Sequence, residues 1–245
     1  MRMLFVLRSM LRNKPHDLSL NMLSNKALNS KEMKYKAIFF DFHKTLSSSL
    51  YWEQLKDEKH PRHDWFDKIT SFLFKENKQI INPWMRGEFD TNYVADIISQ
   101  GLGLPKSTLK KDLEYSCRKM KFVSKEIPKF IKIFRSKGIK CVVATDHMDV
   151  FREHIIPGMK LDELFDDFLI SYEIGKLKSD IDIENKKILF FETFLKKNDL
   201  KYENVLLLDD CLHDASYKEL GFEQIRIEGK DHLLDTLKIL AGQYI

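Results

Sequence analysis

Cysteine is scarce in this chain, and the signals of several protein classes are missing. Three cysteines occur in 245 residues, at wide spacing. An odd and scattered set supports neither a disulfide framework nor a zinc site, and it is typical of a reducing compartment, so we predict a cytoplasmic location. No apolar run approaches the roughly 18 residues that a membrane-spanning helix requires, so we predict no membrane association.

Charge of one sign is not concentrated either. Lys and Arg number 41 and Asp and Glu 37, a formal net charge of +4, and the two signs are interspersed along most of the chain. A nucleic-acid-binding protein more often carries a basic stripe, so we expect no nucleic-acid partner. The composition, 43% hydrophobic and 32% charged, fits a globular protein with one core domain and a smaller appended one.

Residues 1–32 differ from the rest of the chain. They contain Arg2, Arg8 and Arg12, a short apolar patch at Met3–Leu7, several Ser and Asn residues, and few acids. The patch is too short for a secretory signal, whereas the Arg- and Ser-rich composition leaves an organelle transit peptide as an alternative. We predict a flexible N-terminal extension ahead of a domain that begins at about residue 33.

Short apolar runs predict the strands of a buried parallel sheet. Three of them, Lys36–Phe40, Gly138–Ala144 and Asn204–Leu208, are largely unalternating, as strands buried on both faces should be. Phe168–Ser171 and Gln224–Ile227 are weaker candidates. A sheet of this kind must be covered by helices on both of its faces.

Helical patterns occupy the intervals between these strands. The candidates are Lys125–Lys137, Asp182–Leu200 and Ala215–Leu220. Strands that alternate with helices predict the α/β class, here a Rossmann-like parallel sheet with helices on both faces.

Residues 48–122, which we call the insertion, interrupt this alternation. They contain no strand-like run, but they hold amphipathic helical pieces punctuated by proline and glycine. We therefore predict an inserted α-helical cap, and a core domain formed by residues 33–47 and 123–245. Substrate choice would depend on the insertion, although we expect most of its aromatic and basic candidates to be cap core or solvated surface. These candidates are Trp52, His60, Arg62, His63, Trp65, Trp84 and Arg86.

Polar residues follow the predicted strands at their carboxyl ends, the edge at which α/β sheets bind ligands. A carboxylate there is suited to binding a hard cation or to acting as a nucleophile, and it is equally suited to capping a turn. A histidine with a pKa near 6.5 exchanges protons near neutrality. The candidate site residues are Asp41, His43, Thr145, Lys178, Asp209, Asp210 and Asp214.

Taken together, these motifs resemble those of the haloacid dehalogenase-like superfamily, in the branch with a helical cap inserted after the first motif. That family typically reads Asp-x-Asp-x-Thr-Leu, then Thr or Ser, then Lys, then an acidic pair with another Asp downstream. The first motif here is Asp41-Phe42-His43-Lys44-Thr45-Leu46, and the resemblance extends from about Tyr35 to Ile227. It implies a Mg²⁺-dependent phosphatase that acts on a small phosphorylated metabolite.

The resemblance also implies roles for individual residues. Asp41 would attack phosphorus and form an aspartyl-phosphate. The carboxylates of Asp41 and Asp210 and the main-chain carbonyl of His43 would hold Mg²⁺. Thr145 and Lys178 would bind the phosphoryl oxygens.

Two acids would support this set. Asp209 completes the acidic pair, and Asp214 would orient Lys178 or a metal-bound water. Like charges this close require a cation or a lysine among them.

The chain departs from the family pattern at two positions. His43 replaces the second Asp, which usually protonates the leaving group, and Asp146 stands where Asn or Ser is frequent. Imidazole has a suitable pKa for the relay, although a neighbouring Mg²⁺ would disfavour its charged form. Two alternatives therefore stay open: a weakly active or non-catalytic binding protein, and a dehalogenase-type hydrolase that attacks carbon. The pair Asp209-Asp210 argues against the second.

Overall fold

A five-stranded parallel sheet lies at the centre of the computed structural model, which describes residues 34–213 and 215–243. Its strands are β1 (Ala37–Phe40), β2 (Lys140–Thr145), β3 (Asp167–Ile170), β6 (Val205–Asp209) and β7 (Glu223–Arg226), and a separate hairpin is formed by β4 (Ile181–Asp182) and β5 (Lys187–Ile188). The strand order is β3-β2-β1-β6-β7, and all four pairings are parallel. The five strands predicted from the apolar runs are confirmed.

Two apolar layers cover the two faces of the sheet. Along β1, Ile38 and Phe40 belong to one buried cluster, and Ala37 and Phe39 belong to the other. Successive side chains of a strand point to opposite faces, so a run that is apolar at every position can form a strand buried on both sides. The predicted α/β class with helices on both faces is therefore confirmed.

Helices fill the intervals between the strands. They are α1 (Trp65–Ser71), α2 (Ile81–Met85), α3 (Thr91–Leu102), α4 (Lys106–Arg118), α5 (Ile127–Ser136), α6 (Ile156–Met159), α7 (Ser171–Ile174), α8 (Glu192–Lys197), α9 (Ser216–Glu219) and α10 (Lys230–Gly242). Helices α1 to α4 lie in the insertion, where Trp52 and Trp84 are buried in its core. Within the described ranges, no helix combines the length and apolarity that a membrane span requires.

The helix predicted at Asp182–Leu200 is wrong over its first half. Only Glu192–Lys197 is α-helical, and the residues before it form the β4–β5 hairpin. The Asp182 carboxylate accepts hydrogen bonds from the main-chain and side-chain N–H groups of Asn185, at 3.0 and 2.8 Å, and Lys186 has a φ of 53°. This turn stabilises a reversal of the chain, which overrides the weak helical periodicity.

Candidate active site

The carboxyl ends of three adjacent strands bring most of the predicted site residues to one edge of the sheet. Asp41 follows β1, Thr145 ends β2 and Asp209 ends β6. The Asp41 main-chain N–H donates to the carbonyl of Leu208 at 2.8 Å, which continues the β1–β6 pairing by one residue. The nucleophile candidate is therefore fixed beside the acidic pair by the sheet itself.

Lys178 lies between two of these carboxylates. Its Nζ donates to Oδ1 of Asp41 at 2.7 Å and to Oδ2 of Asp209 at 2.5 Å, and only 3% of the residue is exposed. Its main chain is also held, because the N–H donates to Oδ1 of Asp146 at 3.0 Å and the carbonyl accepts from the Tyr217 hydroxyl at 2.6 Å. The ammonium group is thus presented to Asp41 by a loop that is fixed on both sides.

Burial governs the protonation of this group of charges. It raises the pKa of Asp41 to about 7, with Asp209 adding to the rise and Lys178 opposing it. Burial also disfavours the charge on Lys178, but the surrounding Asp41 and Asp209 raise the pKa of the ammonium above its ordinary value. Although Asp209 is buried, the His213 hydrogen bond and the Lys178 charge hold its pKa well below the usual range. One lysine is therefore shared by more carboxylates than it neutralises.

That excess of negative charge fits a hard divalent cation. Asp210 lies next in the chain to Asp209, is half-buried, and contributes to the raised pKa of Asp41. Its nearest cation is Lys44, whose Nζ lies 3.8 Å away on an exposed side chain. Carboxylate and carbonyl oxygens are the ligands that Mg²⁺ prefers, so Asp41, Asp210 and the main-chain carbonyl of His43 are donors of the right chemistry to hold it.

A thiol also lies close to the acidic pair. One ligand atom from each of Asp209, Asp210 and Cys211 falls within 4.8 Å of the others. Although Cys211 is exposed, partial desolvation and the two carboxylates raise the pKa of its thiol, which keeps it protonated and a poor ligand for a hard cation.

His43 lies on the turn that follows Asp41. The turn is closed by the Lys44 N–H, which donates to the carbonyl of Ser47 at 2.7 Å, and Lys44 has a φ of 60°. The His43 residue is exposed, and its electrostatic neighbours include Asp210. Partial burial and the Lys44 charge lower the pKa of His43, so the imidazole is neutral and able to accept a proton at neutral pH.

His147, which the sequence suggested only as an alternative to His43 for the proton relay, is buried beside the site. Its ring packs against Phe42, and its Nδ1 lies 3.0 Å from the Tyr51 hydroxyl and accepts from the Met148 N–H at 3.1 Å. Burial lowers the pKa of His147 to about 3, so the ring is neutral. In the sequence, only its position directly after Thr145-Asp146 pointed to a place near the site. Its burial could not be predicted, because burial of a side chain depends on tertiary packing.

Asp149, which the sequence did not single out, holds the insertion against the core. Its carboxylate accepts from the indole N–H of Trp84 at 3.2 Å and from the Thr91 N–H at 2.8 Å, and it also binds the Thr91 hydroxyl. The segment between α2 and α3 therefore docks on the loop that follows β2.

One predicted site residue, Asp214, lies outside the described residues, so its role stays a prediction. Its neighbour His213 contacts Asp209, with Nε2 at 3.0 Å from Oδ2, and stacks on the ring of Tyr217. Asp209 thus has two basic partners, Lys178 and His213.

Comparison with known proteins identifies the fold. Neither protein-family models nor curated protein sequences give a match. Among solved structures, a predicted HAD-like family hydrolase from Porphyromonas gingivalis has a TM-score of 0.62 at 17% identity and covers 85% of this chain and 98% of its own. A HAD family enzyme from Bacteroides thetaiotaomicron, in complex with magnesium and inorganic phosphate, has a TM-score of 0.57 at 14% identity, with 80% and 95% covered.

A dehalogenase is also similar. The L-2-haloacid dehalogenase from Xanthobacter autotrophicus has a TM-score of 0.51 at 14% identity, with 79% of this chain and 77% of the other covered. The chain therefore has the fold of the haloacid dehalogenase-like hydrolases, as its motifs predict. An enzyme in complex with magnesium and phosphate and a dehalogenase both have this fold, so the chemistry has to be argued from the site.

Proposed function

We propose that this protein is a Mg²⁺-dependent phosphatase that hydrolyses a small phosphorylated metabolite through an aspartyl-phosphate on Asp41. The observation that carries the proposal is the contact of Lys178 with both Asp41 and Asp209 at the carboxyl edge of the sheet. This arrangement puts a fixed positive charge beside a carboxylate nucleophile. The similar Bacteroides thetaiotaomicron structure holds magnesium and inorganic phosphate, which supports the same chemistry here.

In the first step, a carboxylate oxygen of Asp41 forms a bond to phosphorus while the ester P–O bond breaks. Lys178 and the Thr145 hydroxyl bind phosphoryl oxygens, and Lys178 stabilises the charge that develops on them. The leaving alkoxide takes a proton from the His43 imidazolium, which is the minor form at neutral pH because the pKa of His43 is lowered. Bound Mg²⁺, held by Asp41, Asp210 and the His43 carbonyl, would supply further positive charge at the phosphoryl group.

In the second step, water attacks phosphorus and the bond to Asp41 breaks. His43, now neutral, accepts the proton of that water, so inorganic phosphate leaves and both side chains return to their starting state. Four residues of the site are nearly inaccessible, with Asp41 5%, Thr145 1%, Lys178 3% and Asp209 2% exposed. We infer that the insertion acts as a cap that excludes bulk water, and that it must move for substrate to enter.

A dehalogenase-type reaction, in which Asp41 attacks carbon and halide leaves, is the second candidate. The similarity to a haloacid dehalogenase favours it. The additional acid Asp210 argues against it, because a carboxylate beside the nucleophile needs a cation that carbon attack does not require.

The test compares two assays on the wild-type protein and two variants. Hydrolysis of an aryl phosphate is measured with and without Mg²⁺, and halide release is measured with a haloacid. We expect Mg²⁺-dependent phosphate release that is abolished in Asp41→Asn and kept in the control Asp235→Asn, which alters a surface residue of α10 paired with Lys238. Phosphate release that persists without metal, or halide release alone, would refute the proposal. The absence of turnover on a broad phosphate panel would favour a binding protein.

The role of His43 has its own test. If His43 exchanges the proton, His43→Ala should lower turnover by about 10²–10⁴, the usual contribution of general acid–base catalysis. His43→Asp restores the family residue and should keep or raise activity. Full activity in His43→Ala would place the proton relay elsewhere.

A further inference from the structure

Arg86, at the end of α2, joins the insertion to the loop that carries Lys178. Its guanidinium binds the Asp180 carboxylate in a two-pronged pair, with Nη2 at 2.6 Å from Oδ1 and Nη1 bound to Oδ2. The side chains are 25% and 19% exposed, so the pair is largely shielded from solvent. A planar, bidentate contact of this kind fixes the orientation of the two side chains as well as the distance between them.

Asp180 also binds the main chain next to Lys178. The same Oδ2 that binds Arg86 accepts from the Leu177 N–H at 2.9 Å. The next N–H, that of Lys178, donates to Asp146 at 3.0 Å. Two successive main-chain groups are therefore held by two carboxylates, and one of those carboxylates is oriented by the insertion.

Arg86 belongs to a segment that packs on the core, which we call the docking segment (Trp84–Thr91). At one end Trp84, and at the other Thr91, are bound by Asp149. Next to Arg86, Gly87 has a φ of 74°, and a Cβ atom there would lie 2.5 Å from the carbonyl oxygen of Tyr172. Main chain packs directly on main chain at this point, so Arg86 enters its pair with Asp180 only when the segment is seated.

We propose that Arg86 is a positioning residue that couples docking of the insertion to the placement of Lys178, through Asp180. This inference rests on the proposed function, because Lys178 matters for turnover only if it binds the phosphoryl group. When the docking segment lifts away to admit substrate, Asp180 loses its partner and the loop loses one of its supports. Closure restores the pair and returns the ammonium to Asp41.

The experiment measures loop protection and turnover in the same set of variants of the full chain. Arg86→Met removes the pair, and Asp180→Asn keeps an acceptor for the Leu177 N–H while removing the charge. The matched control is Arg62→Met, since Arg62 makes an equally forked pair with Asp112 inside the insertion, at 2.9 and 2.8 Å.

Hydrogen exchange of the peptide 175–180 is the readout that needs no activity. We expect Arg86→Met and Asp180→Asn to speed exchange there by about tenfold, as for the loss of a charge-assisted support. Arg62→Met should leave this peptide unchanged. In kinetics with an aryl phosphate, Arg86→Met should lower kcat and kcat/KM together by about 10–100-fold, the scale of a misplaced catalytic group.

The two readouts separate this inference from the proposed function. Unchanged exchange in both Arg86→Met and Asp180→Asn would overturn the coupling whatever the activity. An equal rise in exchange in Arg62→Met would also overturn it, since general loosening of the insertion would then explain the result. If the wild-type protein lacks phosphatase activity but exchange rises only in Arg86→Met and Asp180→Asn, the proposed function fails and the coupling of docking to the loop stands. Rescue of exchange and kcat by Arg86→Lys would overturn the need for a two-pronged contact.

Discussion

His147 should make the stability of this protein depend on pH. The residue is 7% exposed, and burial lowers its pKa to about 3. In the unfolded chain a histidine has a pKa of about 6.5. Between these two values the unfolded state binds a proton that the folded state does not, so stability is complete above pH 6.5 and falls as the pH drops.

The size of the effect follows from the two pKa values. At pH 5 the unfolded histidine is almost fully protonated while the folded one is almost fully neutral, which costs about 2 kcal/mol relative to pH 8. The groups that face the ring leave most of this cost in place, although the main-chain hydrogen bond with Met148 raises the pKa. They are the hydroxyl of Tyr51, the N–H and thioether of Met148, the rings of Phe42 and Phe151, and the electrostatic neighbour His43, whose charge lowers the pKa further.

Urea unfolding of metal-free protein at pH 8 and pH 5 measures this contribution. His147→Asn keeps an acceptor near Nδ1 and cannot titrate, and other ionisable groups contribute almost equally to both proteins. The stability advantage of the wild type over His147→Asn should therefore shrink by about 2 kcal/mol between the two pH values. Tyr51→Phe is the control, because it leaves the ring buried and should keep the wild-type pH dependence. A wild-type advantage that is the same at both pH values would refute the reasoning.

Three further predictions concern the metal, the docking segment and the core. Mg²⁺ at about 100 times its Kd should add about 2.7 kcal/mol to wild-type stability, seen as a raised Tm, and should not do so in Asp210→Asn. Gly87→Ala should cost about 1–3 kcal/mol in urea unfolding, because it combines a positive φ with a clash against Tyr172. Phe39→Ala should cost about 3–5 kcal/mol, since Phe39 is fully buried among three aromatic rings, whereas Phe74→Ala, at a residue 45% exposed, should cost about 0.5 kcal/mol or less.

The sheet was predictable from the sequence because a strand buried on both faces is apolar at every position. The runs that became β1, β2 and β6 carry that signal, and the polar residue that follows each of them marks the edge where ligands bind. Order along the chain and strand-end position were therefore enough to bring Asp41, Thr145 and Asp209 to one edge.

Contacts between distant segments were not predictable in the same way. Asp149 and Asp180 look like ordinary loop acids in the sequence, and their partners Trp84 and Arg86 are 65 and 94 residues away. The wrong helix near Asp182 has a related cause, because a local side-chain turn outweighed a periodicity that tertiary packing did not support. Local patterns thus predicted the elements, while the contacts that close the insertion on the core required the structure.

The two departures from the family pattern acquire a common explanation from the charges of the site. Asp146 adds a carboxylate where Asn or Ser is frequent, and its raised pKa, caused by burial, reflects the cost of placing a charge there. The same carboxylate accepts a hydrogen bond from the Lys178 N–H, so it also fixes the loop that presents the ammonium.

His43 removes a carboxylate where Asp is usual. Relative to that pattern, one departure adds a carboxylate near Lys178 and the other removes one near Asp210, so the number of carboxylates around the candidate site is unchanged. A second Asp at position 43 would add a further carboxylate to a site in which Asp41 already resists ionisation. The substitution at position 43 is therefore consistent with a working metal-dependent site, and the gain from restoring Asp there should depend on whether Asp146 is present.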